Sequence, residues 1–166
     1  PTLTSRSWLL IDVVSNQVLA SSNSQERIRA GTPARLMTAY LVFGAIKDGK
    51  LNLDKTVSVS DEIGAMESGG PRMFLQPGSS VTIQQLLDGL IVQGSEDAAL
   101  TLALAVSGDE KSFVDLMNRE AVRLGMKSTN FTHPYETADK DSYSTPNDLS
   151  VLAVNLVRDY PDYYSG

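Results

Sequence analysis

Cysteine is absent from the 166 residues, which excludes disulfides, thiolate nucleophiles and cysteine-ligated metals and leaves an oxidising compartment permitted but not required. Histidine occurs once, at His133, too few for a histidine-rich metal centre, so no metal or cofactor is expected. Basic runs are missing too. The formal net charge is −6, and with no zinc-finger, RNP or helix-turn-helix signature, nucleic acid is rejected as a partner. No apolar run approaches the roughly 20 residues needed to cross a bilayer, and no signal peptide is recognisable. The sequence opens on Pro1 rather than methionine, as a processed or trimmed chain would. What remains is the composition of an ordinary globular domain, 42% hydrophobic and 20% charged, and residues 1–166 read as a single domain with one core.

The chain is organised around Arg27–Lys50. Leu36, Met37, Tyr40, Leu41, Phe43 and Ile46 cover too wide an arc for a surface helix, which predicts a buried one packed against Ile83–Ile91 and Ala98–Val106. Thr32 and Pro33 read as N-cap and first turn, and Gly49 with Lys47 and Lys50 as the closing end. Before it, Ser7–Ala20 reads as a hairpin with Trp8–Val14 as its first strand. After it come a short strand within Asp54–Ser60 and an irregular Asp61–Gly70. Thr82 opens a helix. Glu96–Val106 is an alanine-rich buried helix, and Asp109–Leu124 is amphipathic with Phe113, Leu116, Met117, Val122 and Leu124 inward and Gly125 as its cap. A polar connection, Ser128–Ser144, leads to a last helix, Leu149–Val157, started by Thr145-Pro146.

Seven stretches taken in order carry a resemblance: LMTAYLVFGAIKDGKL, VSVSDE, GGPRMFLQPG, VTIQQLLDGLIVQ, DAALTLALAVSG, FVDLMNREAVRLGMKSTNF and YSTPNDLSVLA. Together they are similar to the low-molecular-mass penicillin-binding proteins, the D-alanyl-D-alanine carboxypeptidases of the penicillin-binding protein 5/6 type. The resemblance implies an α+β, β-lactamase/transpeptidase-like domain, an antiparallel sheet against a helical lobe with the active site between them. It further implies removal of the terminal D-alanine from peptidoglycan stem peptides through an acyl-enzyme on serine, trapping by β-lactams, and a periplasmic or otherwise extracytoplasmic location. The family's K-T-G strand, its neighbouring strands and an amphipathic membrane-anchoring helix are expected beyond Gly166. The Trp8–Val14 hairpin is then expected to pair with a later segment or another chain, or to expose its edge.

The resemblance also fixes motif positions. Where the family reads S-x-x-K, this chain reads Thr32-Pro33-Ala34-Arg35. A threonine hydroxyl can attack, but a guanidinium stays protonated and cannot serve as the base one helical turn away. Where the family reads S-x-N, this chain has Gly94, Ser95 and Glu96. Gly94 stands at the serine position, Ser95 is one place out of register, and Glu96 replaces the asparagine that holds the substrate amide. No Lys-Thr-Gly occurs. Ser128-Thr129-Asn130 spells S-x-N by chance. The candidate site residues are therefore Thr32, Arg35 and Ser95 for catalysis and Gly94 and Glu96 for substrate binding, with chemistry altered at each.

Each has a plainer reading. Thr32 can be a helix cap, Arg35 a solvated or ion-paired side chain, Glu96 a helix N-terminal charge and His133 a structural loop residue. Tyr160, Tyr163 and Tyr164 read as packing residues. Three functions compete: an impaired serine-type D,D-carboxypeptidase, a module that holds peptidoglycan peptides or a partner without turnover, and a scaffold fragment with no ligand.

Overall fold

The computed structural model describes residues 28–29, 31–66, 71–135 and 140–160; the hairpin expected at Ser7–Ala20 lies outside them, as do Tyr163 and Tyr164. In chain order the elements are β1 (Ile28–Arg29), α1 (Gly31–Lys47), β2 (Thr56–Ser58), α2 (Asp61–Gly64), β3 (Ser80–Thr82), α3 (Ile83–Asp88), a π turn (Gly89–Gln93), α4 (Glu96–Ser107), α5 (Glu110–Leu124), β4 (Tyr143–Ser144) and α6 (Pro146–Asp159).

α1 is the central helix, as its composition predicts. Met37, Ala39, Val42 and Phe43 are fully buried and Tyr40 is 2% exposed, each large side chain worth about 1.5–3 kcal/mol of burial. The helix packs against α4, α6 and the π turn. Of the Ile83–Ile91 stretch, then, its last turn makes the main contact. Ala98, Ala99 and Ala103 of α4 are fully buried, and their small side chains let the neighbouring helices approach closely. The far end of α1 closes as a Schellman motif: Gly49 takes φ 81, the Lys50 N–H donates to Ala45 O at 2.9 Å and the Gly49 N–H to Ile46 O at 3.1 Å, which satisfies carbonyls the helix cannot pair itself.

Two short antiparallel pairs fasten the ends of this helical lobe. β1 pairs with β4 in the register Ile28↔Ser144 and Arg29↔Tyr143; β2 pairs with β3 with Val57 opposite Val81. Thr82 caps α3 through a capping box with Gln85, and Thr145 caps α6, where Pro146 occupies the first turn. Ser128-Thr129-Asn130 serves the fold: the Ser128 N–H and the Thr129 hydroxyl donate to Asp148 Oδ2 at 2.8 and 2.7 Å, and Asn130 bridges to Tyr143. His133 is held by its ring, with Nδ1 3.2 Å from Glu110 Oε2 and Tyr135 stacked on it at 5.2 Å. Tyr160 packs edge-on against Tyr40 at 5.1 Å.

Four local expectations are corrected. α1 begins at Gly31, so Thr32 lies inside its first turn rather than capping it. Asp61–Gly64 is a helical turn, because Ser60 accepts from the Glu62 N–H, Asp61 and Glu62 favour a helix N-terminus, and Ile63 is only 2% exposed. The helix opened by Thr82 does not run evenly to Ile91 but widens after Asp88 into the π turn. Val122 is 80% exposed, because the inward face of α5 is set by Phe113, Met117 and Ala121 at a spacing of four, and one residue onward is a 100° rotation away from it.

Candidate active site

The π turn ends at Gly94, which adopts a left-handed φ of 66, and this reversal delivers Ser95 and Glu96 to the start of α4. The chain before α3 is strapped to the same place. The buried Asp97 carboxylate accepts the Met73 N–H at 2.8 Å and the Leu75 N–H at 3.0 Å, and the Glu96 N–H donates to Pro71 O at 2.9 Å. Between those two Asp97 bonds Phe74 is held at φ 58 and 75% exposed. A bulky residue in that region is strained and persists because the bonds on either side dictate the path.

Arg35 reaches this corner from α1. A Cβ placed on Gly94 would lie 3.0 Å from Arg35 Nη1 and 3.2 Å from its Cζ, so the guanidinium lies directly over the glycine Cα. Arg35, Gly94, Ser95, Glu96 and Tyr135, walled by Pro71 and Leu90, enclose a recess of about 20 Å³, room for about one water-sized group. Ser95 is fully buried, its hydroxyl donating to Gln93 Oε1 at 3.3 Å. Glu96 is 5% exposed, and its Oε2 has no hydrogen-bond partner among the described residues. Of the five residues singled out from sequence, four therefore meet in one recess. Thr32 sits on α1 three positions before Arg35; its side chain lies outside the described residues.

The electrostatics follow from these groups. Arg35 is a permanent cation that donates and never accepts. An ionised Glu96 only accepts. Burial, followed by the Glu110 and Glu96 carboxylates, pushes the Tyr135 phenol up to about 12, so it stays neutral around pH 7. Such a recess offers fixed charge and hydrogen bonds. Among the described residues no group of three or more His, Asp or Glu side chains could hold a metal ion. A larger cavity of about 370 Å³ lies elsewhere, among α1, α4 and α5 beside Tyr160, and none of the motif positions lines it.

Sequence reading missed Asp97, Pro71 and Tyr135. Asp97 carried a signal, since an acidic residue beside Glu96 at a helix start reads as a second helix charge; that it grips a loop more than twenty residues away left no local trace. Pro71 and Tyr135 are brought to the recess by tertiary packing alone.

Comparison with known proteins matches residues 1–166 to the family described as D-alanyl-D-alanine carboxypeptidase. The chain is 34% identical over 171 residues to the D-alanyl-D-alanine carboxypeptidase DacC of Escherichia coli, covering 99% of this chain and 42% of that protein. It is 32% identical to DacF of Bacillus subtilis, covering 92% of this chain and 39% of that one. Among solved structures, penicillin binding protein 5 from Haemophilus influenzae superposes with a TM-score of 0.79 at 31% identity, covering 84% of this chain and 41% of that one. Penicillin binding protein 6B from Escherichia coli gives a TM-score of 0.76 at 30% identity, over 82% and 44% of the respective chains. The α+β, transpeptidase-like fold expected from sequence is thus the fold observed. The chain spans about two fifths of the length of these relatives.

Proposed function

Because this chain belongs to the D-alanyl-D-alanine carboxypeptidase family, we propose that its cleft binds peptidoglycan stem peptides ending in D-alanyl-D-alanine and turns them over little or not at all. The observation that carries the reading is Arg35. It stands at the base position and its guanidinium is packed over Gly94, at the place of the family's second-motif serine. A hydroxyl at Thr32 then has no lysine to take its proton, and a group that never deprotonates cannot substitute. Carboxylate Glu96 at the asparagine position removes the amide donor of that motif as well. The retained scaffold supports binding; the altered corner argues against chemistry. β-Lactams, which imitate the same peptide, enter the cleft on this reading without rapid covalent capture. The protein acts outside the cytoplasm, and any membrane attachment runs through a C-terminal anchor outside these residues.

The test takes the intact protein and measures D-alanine release from a pentapeptide, labelling by a fluorescent penicillin, and equilibrium binding of the peptide by calorimetry. Binding without release or labelling is the expected outcome. Turnover at the roughly 1–10³ per second common among enzymes would overturn it, as would failure to bind the peptide.

A further inference from the structure

We propose that Arg72 is a specificity-determining residue beside the recess, its guanidinium receiving a carboxylate carried on an aliphatic arm of the ligand ahead of its D-alanyl-D-alanine end. The proposal rests on the stem-peptide reading above and deepens it by naming a second group that the ligand carries.

Next to the recess lies a cavity of about 210 Å³ lined by Ile63, Phe74, Leu75 and Pro77 together with Arg72 and Asp97. The two hollows share a wall. Pro71 and Glu96 line the recess, and the residue that follows each of them lines the cavity. The charge of Arg72 is felt in the recess, where it opposes the rise of the Tyr135 phenol. Among the described residues that line the cavity, Arg72 is the one cation. Its Nη2 donates to Met66 O at 2.9 Å, which fixes the head of the side chain. Its Nε is buried and has no partner among the described residues, and no carboxylate there pairs with it. A donor withdrawn from water without an acceptor is costly, more so on a charged group, and an arriving carboxylate relieves that cost. The planar fork of a guanidinium matches a carboxylate in shape as well as in charge. Asp97 competes little for it, because its oxygens already accept the N–H groups of Met73, Leu75 and Ala98 at 2.8, 3.0 and 3.0 Å. The rest of the lining is largely apolar, and Phe74 stands 75% exposed at it. An apolar lining with one cation complements an aliphatic arm that ends in an anion. The terminal carboxylate of the peptide follows its last D-alanine directly and has no arm to cover that lining.

The test uses the intact protein and D-alanyl-D-alanine ligands acylated at nitrogen with succinyl, glutaryl or adipoyl groups. Each is paired with the same ligand bearing a carboxamide in place of the carboxylate at the end of the arm. Binding is measured by calorimetry. At the best arm length the acid should bind roughly tenfold or more tightly than its amide, the lower end of a hydrogen bond to a charged group expressed as an affinity ratio. Added salt should shrink that preference. Arg72→Leu and Arg72→Gln should each bring the pair within about threefold and leave the amide ligand's affinity nearly unchanged, with thermal melts identifying which variants are folded. Acid and amide within threefold at every arm length would overturn the proposal while the stem-peptide reading stands, as would a preference that survives in a folded variant. Amidating the terminal carboxylate should leave the Arg72 dependence in place; its disappearance would assign Arg72 to the terminus and overturn the proposal too. If no ligand binds at all, both readings fall together.

Discussion

Around Phe43, Phe113 and Phe131 the side chains are fully buried, and the flanking helices end in glycines or begin in capping threonines that satisfy their terminal groups. At and beside the recess, Gly94 takes φ 66 and Phe74, in the loop that Asp97 holds, takes φ 58, α3 widens into a π turn, and Glu96 Oε2 is left without a partner among the described residues. The first region meets each requirement of a stable core. The second breaks several, and tolerates this because Asp97 and the Glu96 N–H tie the stretch from Pro71 to Leu75 to the start of α4, a helix whose Ala98, Ala99 and Ala103 are fully buried in the core. Unfavourable local states persist where their surroundings determine them, and those are the places where a fold keeps its ligand contacts.

The contrast can be broken hardest in the core. Phe43→Ala should cost about 3–5 kcal/mol, because it opens a cavity beneath a helix buried on nearly every side; urea unfolding would show it, and a loss under 1 kcal/mol would mean the helix is not the centre of the domain. Asp97→Ala releases the loop strapped to the start of α4 and should cost on the order of 3 kcal/mol, since the Met73 and Leu75 N–H groups both lose a charged acceptor. Its signature is selective: amide exchange should accelerate at Met73 and Leu75 well before the centre of α1 responds.

A finer test compares two glycines. Gly94 and Gly78 share a left-handed backbone, but a Cβ at Gly78 meets nothing within 4 Å, whereas one at Gly94 meets Arg35. Gly78→Ala should cost only the backbone penalty, about 1–2 kcal/mol, and Gly94→Ala should cost more. In an Arg35→Ala background the two should converge; if they differ by the same amount there, the guanidinium does not lie over Gly94.

The smallest effect is in pH. The Tyr135 phenol is raised from 10.0 to about 12 in the folded protein, so the native state holds its proton after the unfolded chain has lost it. Its contribution is fully present below pH 10 and is lost as pH rises toward 12. Tyr135→Phe should flatten that part of the alkaline decline, with no change in stability slope at neutral pH; melts between pH 9 and pH 12 would record it. An unchanged decline would place Tyr135 in water rather than beside Glu96.

Much of the scaffold was legible because helical periodicity reports directly on which face is buried. Leu36 through Ile46 announced a central helix, and Thr82, Thr145, Gly49 and Gly125 marked ends through their local backbone chemistry. Val122 shows the limit: an apolar residue at the edge of a stripe is assigned inward by type, while the helix's rotation against its neighbours decides its exposure. The site was legible only as positions. Spacing and resemblance picked out Arg35, Gly94, Ser95 and Glu96, but not that they share one recess with Pro71 and Tyr135.

What the sequence alone determined is therefore the long helices, most of their ends and the absence of cysteine chemistry, all of which depend on residue types or on neighbours within a turn or two of chain. What only the tertiary structure decided is how those residues meet: the guanidinium laid over Gly94, the Asp97 carboxylate gripping a distant loop, and the Glu96 oxygen left without a partner among the described residues. These depend on groups far apart in sequence and brought together by packing. A side chain's type fixes what it can donate or accept, while its hydrogen-bond partner is set by whichever elements the core brings against it.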